Sequence, residues 1–248
     1  FIHGFGGSTY SWRENTQFFA NNGYRVITMD LKGFGLSQKG LDLDYSHVSQ
    51  AEAIKDVLSY LQIDKTVLVG HSMGANIVTI FTQNYPNMVS KLVLVDAAVN
   101  DSASNSLSQL VGVFPVKDWA KIIINSYFTK DRFKSFLESA YVNLSVVNDS
   151  VVDNYYTPLT IQGWEDSLIG ILRDSNKNSL PYSLSTIKTP TLILWGDKDP
   201  WINISKGTDL NAKIENSAFI KIDNSGHLPM EENPTVFNEL VISALENN

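Results

Sequence analysis

The chain has 248 residues, 43% hydrophobic and 18% charged, with 15 Gly, 8 Pro and no Cys, which excludes fibrous and disordered classes and suits one folded domain carrying an insertion. A formal net charge of −7, with the 19 Lys and Arg scattered, works against nucleic acid as a partner and favours a neutral or apolar small molecule. The lack of cysteine excludes disulfides, thiolate catalysis and Cys-based metal sites.

In chain order, Phe1-Ile2-His3-Gly4 reads as a strand end running into a glycine-rich loop. A native N-terminus upstream of Phe1 is therefore expected, which leaves room for a targeting segment; a cytoplasmic location is otherwise favoured. Residues 9–22 place Trp12, Phe18 and Phe19 among polar residues at helical spacing, and 49–61 bring Ala53, Ile54, Val57, Leu58 and Leu61 onto one face. Residues 73–85 continue the pattern until Pro86 stops it. Between and beyond these, 24–29, 66–69, 91–95, 190–195 and 218–222 are short β-branched runs without polar alternation, as parallel strands buried on both faces require. The repeated alternation predicts an α/β fold, a mostly parallel sheet with helices on both sides. Every apolar run is strand-length, so no segment long enough to span a bilayer is predicted.

The alternation breaks between Asp96 and Pro190. This span opens with the Ser/Asn-rich stretch 100–109 and then carries helical patterns at 116–127, 131–142 and 164–173, with Trp119, Phe128, Phe133, Phe136 and Trp164 among them. So many large apolar residues argue against a disordered insertion. The expected organisation is a core of residues 1–98 and 186–248 with a helical cap at 99–185. Asn-X-Ser triplets at Asn100, Asn143, Asn148 and Asn203 are too readily produced by chance to carry weight. Nothing in the sequence reports oligomeric state.

Gly70-His71-Ser72-Met73-Gly74 follows one predicted strand and opens a helix, the context of a G-x-S-x-G nucleophile elbow. A serine hydroxyl needs a base, and histidine is the side chain suited to that near neutrality. Of the four histidines, His3 and His71 belong to the loop and the elbow, and His47 reads as a surface residue. His227, directly after the last strand in Asn224-Ser225-Gly226-His227, is the expected base. The carboxylate that orients it is expected to be Asp199, in Trp195-Gly196-Asp197-Lys198-Asp199-Pro200, three residues past the glycine that ends a strand and between serine and histidine in chain order. Asp96 is the rival acid, and Asp197 reads as a turn residue. The backbone N–H groups of Met73 and Phe5 are the expected oxyanion hole. No P-loop or dinucleotide fingerprint accompanies the loop at 3–7.

Together, His3-Gly4-Phe5-Gly6-Gly7, Asp30 to Ser37, the elbow at 70–74, Gly196 to Pro200 and Gly226-His227 resemble the α/β-hydrolase superfamily over almost the whole chain. The resemblance implies a Ser-His-Asp triad, no metal or organic cofactor, and two strands upstream of Phe1. Epoxide hydrolases and haloalkane dehalogenases share cap and sheet but use an aspartate nucleophile, against which Ser72 argues. Carbon–carbon bond hydrolases of aromatic degradation often place tryptophan after the catalytic histidine, where this chain has Leu228. His227-Leu228-Pro229-Met230-Glu231 looks more like small carboxylesterases and monoacylglycerol-lipase-like enzymes. The expected substrate is thus a small-molecule ester with an apolar acyl or aryl group. A carbon–carbon or lactone hydrolase with the same triad is one alternative. A ligand-sensing protein with a vestigial site is another, which a very low turnover number would distinguish.

Overall fold

A computed structural model describes residues 1–100 and 129–246; the predicted helix at 116–127, most of the Ser/Asn-rich stretch, Trp119 and Phe128 lie outside them. Strands β1 (Thr66–His71), β2 (Val89–Val95), β3 (Thr191–Gly196) and β4 (Ser217–Ile222) form one four-stranded sheet in that order, every pair parallel. Its two central strands show why polar alternation is missing from the sequence. Leu92, Leu94, Ile193 and Trp195 join one buried cluster, while their neighbours Val93, Val95, Leu192 and Leu194 join the other. Side chains alternate between faces along a strand, so a strand covered on both sides is apolar at every position.

The described helices are α1 (Thr16–Asn21), α2 (His47–Tyr60), α3 (Met73–Asn84), α4 (Lys130–Glu138), α5 (Asp149–Tyr156), α6 (Trp164–Asp174), α7 (Ser205–Lys213), α8 (Pro229–Glu232) and α9 (Pro234–Glu246). α3 is packed nearly all round, with Ile77, Val78, Ile80 and Phe81 fully buried. Its buried Thr79 and Thr82 hydroxyls donate to the carbonyls of Ala75 and Val78, so burial leaves them satisfied. α4, α5 and α6 lie between β2 and β3 in the chain. Asn148, one of the triplet asparagines, caps α5 by accepting from the Val151 N–H. Among the described residues, no helix is long and apolar enough to cross a membrane.

Three local expectations change. Residues 24–29 form no strand: their contacts toward the sheet are an isolated bridge from Ile2 to Met29 and a hydrogen bond from the Phe1 amine to the Ile27 carbonyl, too few to make a ladder. The helix at 9–22 divides into a 3-10 turn (Thr9–Trp12) and α1. The divider is Asn15, buried, whose amide donates to the Met230 carbonyl and the Asn238 side chain, while Trp12 and Phe19 reach the same core. His47 is buried rather than exposed, because Asn76 donates to its Nδ1 at 2.6 Å; burial lowers its pKa to about 4, so the ring is neutral and can accept that bond.

The C-terminal end of α6 is fastened to the loop before α2. Arg173 donates to the carbonyls of Leu41 and Leu43, and the enclosed Asp174 carboxylate accepts from Arg173, Lys177 and the Tyr45 N–H. Burial opposes the charge on Asp174, but these donors outweigh it and hold its pKa below the ordinary carboxylate range. A depressed pKa gives stability that is fully present above the unfolded value of about 4 and is lost as pH falls toward the folded value. Asp174→Asn is therefore expected to cost about 1–3 kcal/mol near neutrality. Urea titrations from pH 7 down to pH 3 should show the gap to wild type shrinking with acidification; a constant gap would rule out the charge as its origin.

Candidate active site

All four strands point their C-terminal ends the same way, and each hands over to a residue singled out in the sequence. β1 leads into Ser72, β2 into Asp96, the loop after β3 carries Asp199, and the loop after β4 carries His227. Parallel strands gather their functional loops at that edge.

Ser72 stands at φ 50°, ψ −118°, in left-handed space that L-residues seldom occupy. The two flanking glycines are required by close approach. A Cβ on Gly70 would lie 2.6 Å from the Gly74 carbonyl oxygen, and one on Gly74 would lie 2.4 Å from the His3 carbonyl oxygen. The loop at 3–7 runs directly over the serine, since a Cβ on Gly4 would lie 2.9 Å from the Ser72 Cβ. Among the described residues, neither the Phe5 nor the Met73 backbone N–H has a hydrogen-bond partner. Two unspent donors beside a serine are what a developing oxyanion needs.

His227 is buried, and its Nδ1 is 2.8 Å from Asp199 Oδ2. Asp199 Oδ1 accepts from the N–H groups of Trp201 and Ile202. Burial pushes the Asp199 pKa up, but the His227 bond, its charge and the two amides more than offset this and lower it. With Nδ1 donating to a carboxylate, Nε2 keeps its lone pair for a proton from elsewhere. Ser72 and His227 line the same cavity, of about 280 Å³, and the Ser72 hydroxyl makes no hydrogen bond to a described residue.

The other two site histidines are structural. His71 donates from Nε2 to the His227 carbonyl at 2.7 Å, and burial, reinforced by His227, lowers its pKa to about 3. His3 accepts the Leu31 N–H on Nε2 and so donates from Nδ1 to the Gly4 carbonyl; burial lowers it to about 4. Asp197 accepts the Ser225 N–H at 3.2 Å, tying the acid loop to the histidine loop. Asp96, Asp199 and His227 each offer one atom within 4.8 Å of the others. An imidazole donating from Nδ1 has no lone pair there for a cation, so this grouping is spent on hydrogen bonding.

Three features escaped the sequence reading. Trp201, two residues past Asp199, packs on the His227 ring with centroids 4.8 Å apart, and Phe136 of α4 stacks on Trp201 with centroids 4.9 Å apart. The His227 loop is bonded to the chain after α4: the His227 N–H donates to the Ala140 carbonyl, and Glu232 accepts from the N–H groups of Gly226, Val142 and Asn143. Beside the cavity, the buried Glu231 pairs with Arg13 at 2.6 Å and accepts from Tyr141 and Tyr155. Tyr155 has one hydroxyl proton, so giving it to Glu231 leaves Tyr155 an acceptor for Ser11, 2.9 Å away. The available signal was Glu231-Glu232, two carboxylates four and five residues past His227.

A family model described as the alpha/beta hydrolase fold matches residues 1–234. An uncharacterized hydrolase of Bacillus subtilis, YugF, is 26% identical over 96% of this chain and 86% of its own length. The 2-hydroxy-6-oxononadienedioate/2-hydroxy-6-oxononatrienedioate hydrolase of Paraburkholderia phymatum is 26% identical over 98% of this chain and 85% of its own. Among solved structures, a meta-cleavage product hydrolase of Pseudomonas fluorescens superposes with a TM-score of 0.79 over 99% of this chain and 89% of that one, at 22% identity; at that identity the likeness concerns the fold.

Gly74→Ala should force the elbow and the strand end at Ile2–His3 apart and cost about 2–4 kcal/mol. A chemical-denaturation midpoint equal to wild type would show that the elbow tolerates a side chain there.

Proposed function

This chain belongs to the α/β-hydrolase family, and on that footing we propose that it hydrolyses a carboxylic ester of a neutral, apolar acyl or aryl group. Ser72 is the nucleophile, His227 the general base and acid, Asp199 the carboxylate that orients it, and the Phe5 and Met73 amides the oxyanion hole. Residues 1–98 and 186–248 serve as core and 99–185 as a cap over the site. The supporting observation is the convergence of strand ends: Ser72 and His227 line one cavity, and the Asp199 carboxylate is 2.8 Å from the far side of the imidazole.

The Ser72 oxygen attacks the ester carbonyl carbon while its proton passes to His227 Nε2. Charge gathers on the carbonyl oxygen, where each backbone donor contributes about 3 kcal/mol. Asp199 stabilises the imidazolium and fixes its tautomer. As the tetrahedral adduct collapses, the bond to the alcohol oxygen breaks and His227 returns its proton to that leaving group. Water then attacks the acyl-serine, giving one proton to His227, and breakdown releases the carboxylic acid and restores the serine. No proton or electron is needed from outside the site and water.

The cavity walls bear on the substrate. Phe5, Phe133, Phe136, Leu137, Trp201 and Leu228 supply its large apolar side chains, and none of the described lining residues is Lys or Arg. Such a wall suits an apolar acyl or aryl group. A second reading rests on the Paraburkholderia relative: a 6-oxo acid has no ester to open, so water would cleave it at a carbon–carbon bond, with the same serine and histidine. A dienedioate carries two carboxylates, and a cavity with no described cation favours the ester.

A p-nitrophenyl ester series from acetyl to long acyl chains tests the proposal, with wild type and Ser72→Ala compared in parallel. Wild type should turn over with an optimum set by pocket depth, and Ser72→Ala should fall by roughly 10⁴ or more; survival of most activity would remove Ser72 as nucleophile. Asp199→Asn should lower kcat by roughly 10⁴, since the imidazole is left without its orienting partner. Turnover of a 6-oxo-dienedioate with none on esters would replace the ester reading by the carbon–carbon one.

A further inference from the structure

Three of the four strand ends supply groups to the proposed reaction, and β2 supplies Asp96, which no step uses. Asp96 is fully buried and is held at φ 42°, a left-handed position that non-glycine residues keep only when the surroundings enforce it. Its backbone N–H donates to the Leu194 carbonyl at 3.0 Å. Its Oδ1 accepts the Gly196 N–H at 3.0 Å, and its Oδ2 is buried without any donor facing it.

The contrast with Asp199 decides where charge sits. Asp199 collects three donors, from His227, Trp201 and Ile202, whereas Asp96 has one. Two carboxyl groups this close in a buried site do not both ionise, and the proton goes to the one with fewer donors. Glu232 approaches from the histidine loop and adds a second negative charge, its own oxygens taken up by the N–H groups of Gly226, Val142 and Asn143. Among the described residues no cation pairs with Asp96: Lys198, in the loop after β3, is exposed and donates to the Asn224 side chain. Burial first, then the Asp199 charge, push its pKa well above the carboxylate range. A protonated Oδ2 has an acceptor within reach in Asp199.

We infer that Asp96 is a neutral carboxylic acid at neutral pH whose Oδ2 hydroxyl donates to the Asp199 carboxylate, making it a positioning residue for the group that orients His227. The inference rests on the reading of Asp199 and His227 given above. The bond fixes the Asp199 side chain from behind and draws off part of its charge, so it sets how strongly the carboxylate pulls on the imidazole proton.

Asp96→Asn keeps the shape, the neutrality and a donor, whereas Asp96→Ala removes the donor. With the best p-nitrophenyl ester, Asp96→Ala should lower kcat about ten- to a hundredfold with KM unchanged. Its acid limb should move to higher pH, because an Asp199 deprived of a donor binds protons more tightly and raises the proton affinity of the pair. Asp96→Asn should restore most of the rate and the wild-type limb. Infrared difference spectra of the ligand-free proteins give an arm that needs no turnover: the protonated-carboxyl carbonyl band of wild type should vanish in Asp96→Asn. Absence of that band overturns the inference whether or not the ester reading stands. A rate in Asp96→Asn as low as in Asp96→Ala overturns it too, since an ionised carboxylate would then be the requirement.

Discussion

One backbone position, Ser72 at φ 50°, ψ −118°, organises the site, and its strain of about 1–3 kcal/mol has to be held by its surroundings. They hold it from several sides. The Ser72 N–H donates to the Val95 carbonyl at the end of β2, and its own carbonyl accepts from Ala75 and Ala98. The serine therefore bonds backward into the sheet and forward into α3 at once. Removing side chains at 70 and 74 lets the strand end at Ile2–His3 and the first turn of α3 press together, and that contact lays the loop at 3–7 over the hydroxyl. Strain at one residue is sustained by ordinary packing and hydrogen bonds at its neighbours.

The placement of the candidate site was legible in the sequence wherever a residue type stands at a strand end. The elbow serine and the histidine after the last strand line one cavity and the aspartate of the β3 loop bonds that histidine, and the β2, β3 and β4 runs were readable because strands buried on both faces cannot hide their composition. What depended on partners distant in sequence was not legible. Residues 24–29 have strand composition, but the pairing described there is an isolated bridge to Ile2, distant in sequence. His47 looked exposed because Asn76, which buries it, lies 29 positions away. Chain order could not separate Asp96 from Asp199, since both lie between Ser72 and His227; the choice turns on which carboxylate meets Nδ1 and how many amides each one faces.

A buried charge pair accompanies the site without entering it. Arg13 and Glu231 come from opposite ends of the chain, and two tyrosines spend their hydroxyl protons on the same carboxylate. Such a pair is weak as a source of stability, because desolvation consumes much of its Coulomb energy, and strong as a device for specifying one arrangement. Here it joins the turn Thr9–Trp12, the chain after α4, α5 and the segment following His227, and leaves Tyr155 and Ser11 as polar groups of the cavity wall in addition to His71, Ser72 and His227.

The bonds between the histidine loop and residues 140–143 make the base and the chain above it mechanically one body. A motion that lifts this end of the overlying segment would carry His227 away from Ser72, so breathing that admits a ligand without disabling the base has to occur elsewhere along that segment. The same coupling limits transplantation. A segment grafted from a relative to widen the pocket would bring a foreign anchor for the imidazole, and its success would hinge on one carbonyl at position 140 and two amides beside it rather than on the walls it was chosen for.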